Sequence, residues 1–200
     1  RIDPIAEGGR EYRHSLPNVD VYEHSAHFVG ERELLVGGAR IRGERVVIAA
    51  GARSFVPDVP GIDDVPFHTS DSILRIAHQP RHLIILGGGF IATELGHVFQ
   101  ALGSQVTIVN RGPRLLQAED HEVSCDAGPR TIEGDVLLVA AGRIPNSDQL
   151  QVEQAGVAVD ELGNIVVDQY GRTSAPGVWA LGDINGRHQL KHMANGEAKV

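Results

Sequence analysis

Cysteine is nearly missing from this sequence: Cys125 is the only one in 200 residues. An intrachain disulfide, a two-cysteine redox centre and a multi-thiolate zinc site all need a second thiol, so this stretch can build none of them. Long apolar runs are missing too. The stretches near residues 46–52 and 135–141 reach about eight residues, against the roughly 18 to 20 that cross a bilayer, so no membrane span is expected. Lysine is scarce: Lys191 and Lys199 are the only two, and the other basic residues are arginines. With 18 basic and 26 acidic residues the net charge is -8, which leaves no excess of positive charge to reward a nucleic-acid backbone. The N-terminal residues Arg1 to Glu7 lack the basic, apolar and small-residue order of a secretory signal, and the sequence lacks an initiator Met. It reads as a chain entered midway, and a cytoplasmic location is expected. What is present, 42% hydrophobic and 22% charged residues, is the composition of an ordinary soluble chain with one or two cores.

Gly and Pro punctuate the chain into alternating short segments. Val19, Val21 and Tyr22, then residues 27–29 and 34–36, read as strands, and Gly37-Gly38 reads as a hairpin turn before residues 39–41, giving a small antiparallel meander. The β-branched run from Val46 to Gly51 reads as a strand buried on both faces of a parallel sheet. Pro57, Pro60 and Gly61 mark residues 54–66 as a connector. Ser70-Asp71-Ser72 caps a short predicted helix through Ala77. The pattern then gives a strand at 82–86, a helix carrying Phe90, Ile91, Leu95, Val98, Phe99 and Leu102 at helical spacing, and a strand at 105–109. A second buried strand, 135–141, ends in Ala-Ala-Gly142 as the first ended in Ala-Ala-Gly51. Two such strands predict two nucleotide-binding domains. A short helix at 150–155, strands at 165–167 and 178–181, and a helix starting near Lys191 complete the reading.

The strongest motif is Gly87-Gly88-Gly89-Phe90-Ile91-Ala92, which fits G-x-G-x-x-G/A between a predicted strand and a predicted helix. Gly87 permits the tight turn, Gly89 lets the backbone approach a pyrophosphate, and Ala92 permits close helix packing while free N–H groups hold the phosphates. The end of the next strand selects the dinucleotide. An NAD site places an acid about 20 residues after the first glycine. Asn110, Arg111 and Arg114 stand there instead, and forked guanidinium groups suit a 2′-phosphate, which predicts NADPH. Gly182-Asp183 suits a tight turn whose carboxylate binds a sugar or ribityl hydroxyl, although turn aspartates without a ligand are common. Glu94, one turn into the glycine-motif helix, is either a carboxylate for the cofactor's ring system or a solvated charge. The ten histidines show no metal spacing, His14 and His192 standing out by position alone, and no paired-carboxylate, G-x-S-x-G or H-E-x-x-H motif is present. No metal site is expected.

Five ordered segments carry a family resemblance: Val-Val-Ile-Ala-Ala-Gly-Ala-Arg53, Val-Pro-Gly-Ile62, Ile-Leu-Gly-Gly-Gly-Phe-Ile-Ala-Thr-Glu94, Leu-Val-Ala-Ala-Gly-Arg-Ile-Pro-Asn146 and Trp-Ala-Leu-Gly-Asp183. Together they resemble the flavoprotein disulfide reductases. The resemblance implies an α/β fold of two Rossmann-like three-layer domains, each with a small antiparallel meander, the NADPH domain inserted in the FAD domain and both incomplete here. It places the first FAD-domain segment at 1–66, the NADPH domain at 67–145 and the return into the FAD domain at 146–200. By carry-over, Gly87, Gly89, Ile91, Ala92, Asn110, Arg111, Arg114 and Gly142 hold NADPH, Glu94 lies near the nicotinamide and flavin, and Ala50, Gly51, Gly182, Asp183 and Ala194 hold FAD.

The implied activity is NADPH- and FAD-dependent reduction of a small thiol disulfide by a homodimer. This stretch departs from the family in three places. The redox pair C-x-x-x-x-C is implied before Arg1, and a His-Glu acid/base pair after Val200, so no catalytic residue is expected here beyond support from Glu94. Between Cys125 and Asp126 the family carries a helix, a strand and most of a meander, so a missing segment is expected at that junction. Two other readings share some of these motifs: a non-catalytic dinucleotide-binding module, and a related flavoprotein with another acceptor, such as an NADH oxidase, ferredoxin reductase or coenzyme A disulfide reductase.

Overall fold

The strand and helix periodicities resolve into an α/β chain in a computed structural model that describes residues 2–112, 115–116, 131–187 and 191–199, apart from the side chains of residues 191 and 192. In chain order the elements are α1 (Ile2–Ser15), β1 (Ala26–Gly30), β2 (Glu33–Val36), β3 (Ala39–Arg42), β4 (Val46–Ile48), β5 (Ala52–Ser54), β6 (His82–Leu86), α2 (Phe90–Ala101), β7 (Gln105–Val109), β8 (Val136–Val139), β9 (Arg143–Pro145), α3 (Ser147–Leu150), β10 (Val178–Ala180) and α4 (Lys191–Glu197). Two compact units divide them. One combines Arg1–Arg53 with Ile144–Val200, and the other is the intervening Ser54–Arg143. Residues 54–66, expected with the first segment, group with the inserted unit.

In the inserted unit β6 is the central strand of a parallel sheet in the order β7-β6-β8, with five register pairs to β7 and four to β8. Its alternation is what a central strand needs, since Leu83 and Ile85 are fully buried. Ala92, Gly96 and Phe99 form the buried face of α2, and a Cβ on Gly96 would stand 3.4 Å from Ile85 and 3.5 Å from Val106 and Ile108. The small residues let the helix lie close on the sheet. Ile73 and Leu138 close this core at 0% exposure.

In the other unit β1, β2 and β3 form an antiparallel meander whose second turn is Gly37-Gly38, both at positive φ as a type I′ hairpin requires. β4 and β10 run parallel, pairing Val46 with Val178, Val47 with Trp179 and Ile48 with Ala180. One side of this pair, Ile48, Val178 and Ala180, enters a core with Phe28, Val152 and Ile165. The other side is open, and Val47 is 59% exposed. α1 buries no residue. It is tied at its surface instead, where Glu23 takes the Arg10 guanidinium through Nε and, at 2.8 Å, Nη2, and His14 Nε2 at 2.9 Å. Arg10 first and His14 second hold the Glu23 carboxyl down to about 2.

Several expected elements differ. Val19–Tyr22 forms no strand, and among the described residues no strand pairs with it. At 165–167 a single bridge forms among the described residues, Val159 to Ile165. The helix expected at 73–77 is a 3₁₀ turn of three residues that ends when Ile76 becomes extended. The helix expected at 150–155 is split at Gln151, whose φ of 51° ends α3 before a 3₁₀ turn over Val152–Ala155. The expected discontinuity between Cys125 and Asp126 lies outside the described residues. Among the described residues no helix is long and apolar enough to cross a membrane.

Candidate functional site

The carboxyl ends of β6, β7 and β8 meet at the glycine motif, the place where parallel α/β sheets take their ligands. Gly87 has φ +126°, and a Cβ there would lie 2.5 Å from the Ala140 carbonyl carbon and 2.9 Å from the Ala141 nitrogen. No other residue fits. The turn is tied by main-chain bonds: Gly87 N–H donates to Val109 O at 2.8 Å, and Ala140 N–H to Leu86 O at 2.8 Å. Gly89 precedes the first turn of α2 without a side-chain cap, and among the described residues nothing stands within 4 Å of where its Cβ would be. Among the described residues the opening N–H groups of this 12-residue helix therefore carry no side-chain cap, an arrangement that can receive phosphate oxygens. A pyrophosphate fits this cradle. Ala92 is buried against the sheet, Ile91 is half-buried and Glu94 is exposed.

Asn110 follows β7, and its amide packs on Gly88, where a Cβ would come within 2.5 Å of Asn110 Cγ. Its Nδ2 donates to Gly112 O at 3.2 Å, and Leu116 N–H reaches Gly88 O at 2.7 Å. A side chain at Gly88, a free position in the sequence motif, would have to displace the Asn110 amide, 22 positions away. Arg111 is exposed beside Asn110, whereas Arg114 lies outside the described residues. Gly142, at φ +143°, accepts the Phe55 N–H at 2.9 Å.

The second glycine cluster lies in the other unit. Gly51 follows β4 at φ +64° with open space where a Cβ would be, and Asn146 clamps the segment by donating Nδ2 to Ala50 O at 2.8 Å and its N–H to Gly51 O at 3.1 Å. Leu181 N–H donates to Ile48 O at 3.0 Å, which brings the end of β10 beside the end of β4. There Gly182 turns at φ +76°, with Asp183 following, and its Cβ position is 3.4 Å from Ala194 Cβ on α4. Ala50, Gly51, Gly182, Asp183 and Ala194 are thus gathered at one end of the β4–β10 pair. The open cradle at Gly51 and the turn at Gly182 suit a nucleotide's sugar and phosphate groups. A cavity of about 320 Å³ adjoins on the uncovered side of the pair, lined among others by Val47, Trp179, Tyr170 and Arg172.

Four side chains without an expected role emerge here. Arg53 makes a forked pair with Asp148, Nη1 to Oδ1 at 2.8 Å and Nη2 to Oδ2 at 2.7 Å, and reaches Asn146 Oδ1 at 3.2 Å. The pair holds the Arg53 guanidinium above and the Asp148 carboxyl below their ordinary values. Glu197 accepts the Gly182 N–H at 2.7 Å. Arg53 and Asn146 stood within recognisable segments, but the residues they bind are set by the fold. Among the described residues no group of three His, Cys, Asp or Glu could hold a metal ion.

The model of the family described as pyridine nucleotide-disulphide oxidoreductase matches residues 5–126 and 125–198. The chain belongs to that family. The pyridine nucleotide-disulphide oxidoreductases include FAD- and NAD(P)H-using enzymes, and their two matched stretches here meet at residues 125–126. Mycothione reductase of Mycobacterium tuberculosis is 43% identical over 237 residues, covering 100% of this chain and 51% of that protein. Mercuric reductase of Bacillus cereus is 31% identical, covering 88% of this chain and 33% of its own length. A solved structure, a Cu(II) complex of the HOCl-induced flavoprotein disulfide reductase RclA from Escherichia coli, superposes with a TM-score of 0.89 at 30% identity, over 99% of this chain and 53% of that one. The chain spans about half the length of the mycothione reductase and RclA relatives it matches. Both units are therefore those of a pyridine nucleotide-disulphide oxidoreductase.

Proposed function

We propose that this chain is the cofactor-binding part of an NADPH- and FAD-dependent oxidoreductase that reduces a low-molecular-weight thiol disulfide, mycothione being the substrate the 43% identical relative favours. The observation that carries the reading is the uncapped start of α2 over an open Gly89, with Asn110-Arg111 and no carboxylate at the end of β7. In this reading Gly87, Gly89, Ile91, Ala92, Asn110, Arg111, Arg114 and Gly142 hold NADPH. Ala50, Gly51, Gly182, Asp183 and Ala194 hold FAD, and Glu94 serves near the reacting rings. The chemistry the bound pair supplies is hydride transfer to the flavin and passage of the electron pair onward to a disulfide. The chain's own part is to bind and orient: N–H groups at α2 neutralise the pyrophosphate, and the arginines after β7 receive a 2′-phosphate. The thiols and the acid/base pair of the reaction belong to parts of the parent outside this stretch, and it is the parent that acts in the cytoplasm as a homodimer.

Replacing Arg111 and Arg114 together with Ala tests the cofactor. Loss of charge-assisted bonds is expected to weaken NADPH binding about tenfold or more and NADH binding less than about twofold. Equal losses for both, measured by titration of the full-length protein, would overturn the 2′-phosphate contact.

We also propose that the parent carries a further segment between Cys125 and Asp126. The family match breaks at that junction, and the mycothione reductase alignment runs over 237 residues against the 200 of this chain. Trypsin would release residues 115–130 as one peptide from an uninterrupted chain, so its detection by mass spectrometry would sink the proposal.

A further inference from the structure

Asp183 is carried on a 3₁₀ turn, Gly182–Asn185, that begins abruptly: Leu181 is extended at φ -144° and ψ 160°, and Gly182 swings to φ +76°. A turn that starts on a left-handed residue leaves its first N–H groups pointing away from the strand and in need of acceptors. Glu197, at the last position of α4, supplies one. Its Oε2 accepts the Gly182 N–H at 2.7 Å, the length of a charge-assisted bond. The same carboxylate takes the Asn185 Nδ2 at 3.2 Å on each oxygen. Asn185 is only 8% exposed, and its other amide atom is engaged as well, Oδ1 accepting the Arg187 N–H at 3.0 Å.

One carboxylate therefore grips both ends of the four-residue turn that presents Asp183. Ala194, one helical turn before Glu197, rests 3.4 Å from the Gly182 Cβ position, so α4 meets the turn with two residues at i, i+3 spacing. The contact sets the register of helix and turn, and the two hydrogen bonds set the orientation of the turn between them.

We propose that Glu197 is a positioning residue for flavin binding: it fixes the Gly182–Asn185 turn so that Asp183 is presented in a single orientation. This role rests on the assignment of Gly182 and Asp183 to FAD made above. A carboxylate is the group the geometry requires, because Gly182 and Asn185 both donate. Glutamine offers one acceptor oxygen and turns its NH₂ toward the Asn185 NH₂, while Asn185 cannot flip without giving up the Arg187 N–H. Leucine offers no acceptor, and it leaves the Gly182 N–H and a buried amide unpaired.

The test uses the full-length protein stripped of FAD and titrated with FAD by fluorescence, with 2′,5′-ADP binding as a control for the inserted unit. From the loss of a charge-assisted bond, Glu197→Leu is expected to weaken FAD binding about tenfold, Glu197→Gln about threefold, and Asp183→Asn about tenfold, with 2′,5′-ADP affinity unchanged within about twofold. Partial rescue by Gln separates a hydrogen-bonding role from space filling. Wild-type FAD affinity in Glu197→Leu, or equal losses in the Gln and Leu variants, overturns the positioning role while leaving the assignment of Asp183 standing. Wild-type FAD affinity in Asp183→Asn overturns the assignment and the positioning role together. If Glu197→Leu fails to bind 2′,5′-ADP, the decision passes to Glu197→Gln and Asn185→Ala, and unchanged FAD affinity in both overturns the role.

Discussion

The turn after β6 and the turn after β10 both pass through a glycine at positive φ, yet they are secured in different ways. Gly87 is enclosed by main chain: the Ala140–Ala141 peptide stands against it and Val109 O takes its N–H. Gly182 is secured by side chains, Glu197 below and Ala194 beside it. The difference follows from how each sheet is built. In the inserted unit β6 and β7 are joined through α2 and pair over five residues, so the turn is fixed by the ladders that flank it. In the other unit β4 and β10 pair over three residues and come from chain segments more than a hundred positions apart. A short pair of remote strands supplies few main-chain restraints, and side chains from α4 take their place.

The sharpest way to break this comparison is Gly87→Ala. A left-handed strain and a Cβ driven into the Ala140 carbonyl together are expected to cost about 3–5 kcal/mol in urea unfolding. Gly89→Ala, where nothing stands within 4 Å, is expected to leave stability within about 0.5 kcal/mol. Similar losses at both positions would show that the enclosure of Gly87 is not what holds the turn.

A smaller contrast separates the two sheets themselves. Leu138 on β8 is fully buried, and Leu138→Ala is expected to cost about 2–4 kcal/mol by leaving a cavity. Val47 on β4 is 59% exposed, so Val47→Ala is expected to change stability by less than about 1 kcal/mol. A large loss at Val47 would mean that the open side of the β4–β10 pair is covered in the full-length protein.

The smallest effect is electrostatic and concerns acid. Asp135 in the inserted unit is held below the usual carboxylate range, chiefly by the His82 N–H at 3.0 Å and then by the Arg81 side chain. Its folded-state value is depressed, so its stabilisation is present above the unfolded value of about 3.9 and is lost as pH falls below it. Glu23 in the other unit, held to about 2 mainly by Arg10, follows the same sign. Asp135 is bonded to main-chain donors, whereas Glu23 relies on exposed ion pairs. Salt is therefore expected to flatten the acid-side loss due to Glu23 more than that due to Asp135, in pH titrations of Asp135→Asn and Glu23→Gln against the parent. Equal salt sensitivity would contradict the distinction.

The βαβ run from His82 to Val109 was legible because each element reports itself locally: a short β-branched strand, three glycines, apolar residues at helical spacing, another strand. The hairpin at Gly37-Gly38 was legible for the same reason. α1 was not, since it has no buried face and carries Pro4, Gly8 and Gly9. Val19–Tyr22 has the alternation of a strand but no neighbour to pair with among the described residues, and pairing is a tertiary event. Of the candidate site, the glycines and Asp183 were readable from their motifs. The packing of Asn110 on Gly88, the clamp of Arg53 on Asp148 and the reach of Glu197 to Gly182 were not, because each joins residues that no local pattern relates.

Sequence alone determined the two nucleotide-binding patterns, the want of a second thiol and the basic, non-acidic end of β7. Those are properties of residue type and short-range order, and they need no partner to exist. Only the tertiary structure decided which main-chain groups are left uncapped and which side chains hold the turns in place. Openness at Gly89 and enclosure at Gly87 depend on what packs nearby, and in a chain whose sheets join distant segments, that is settled by folding.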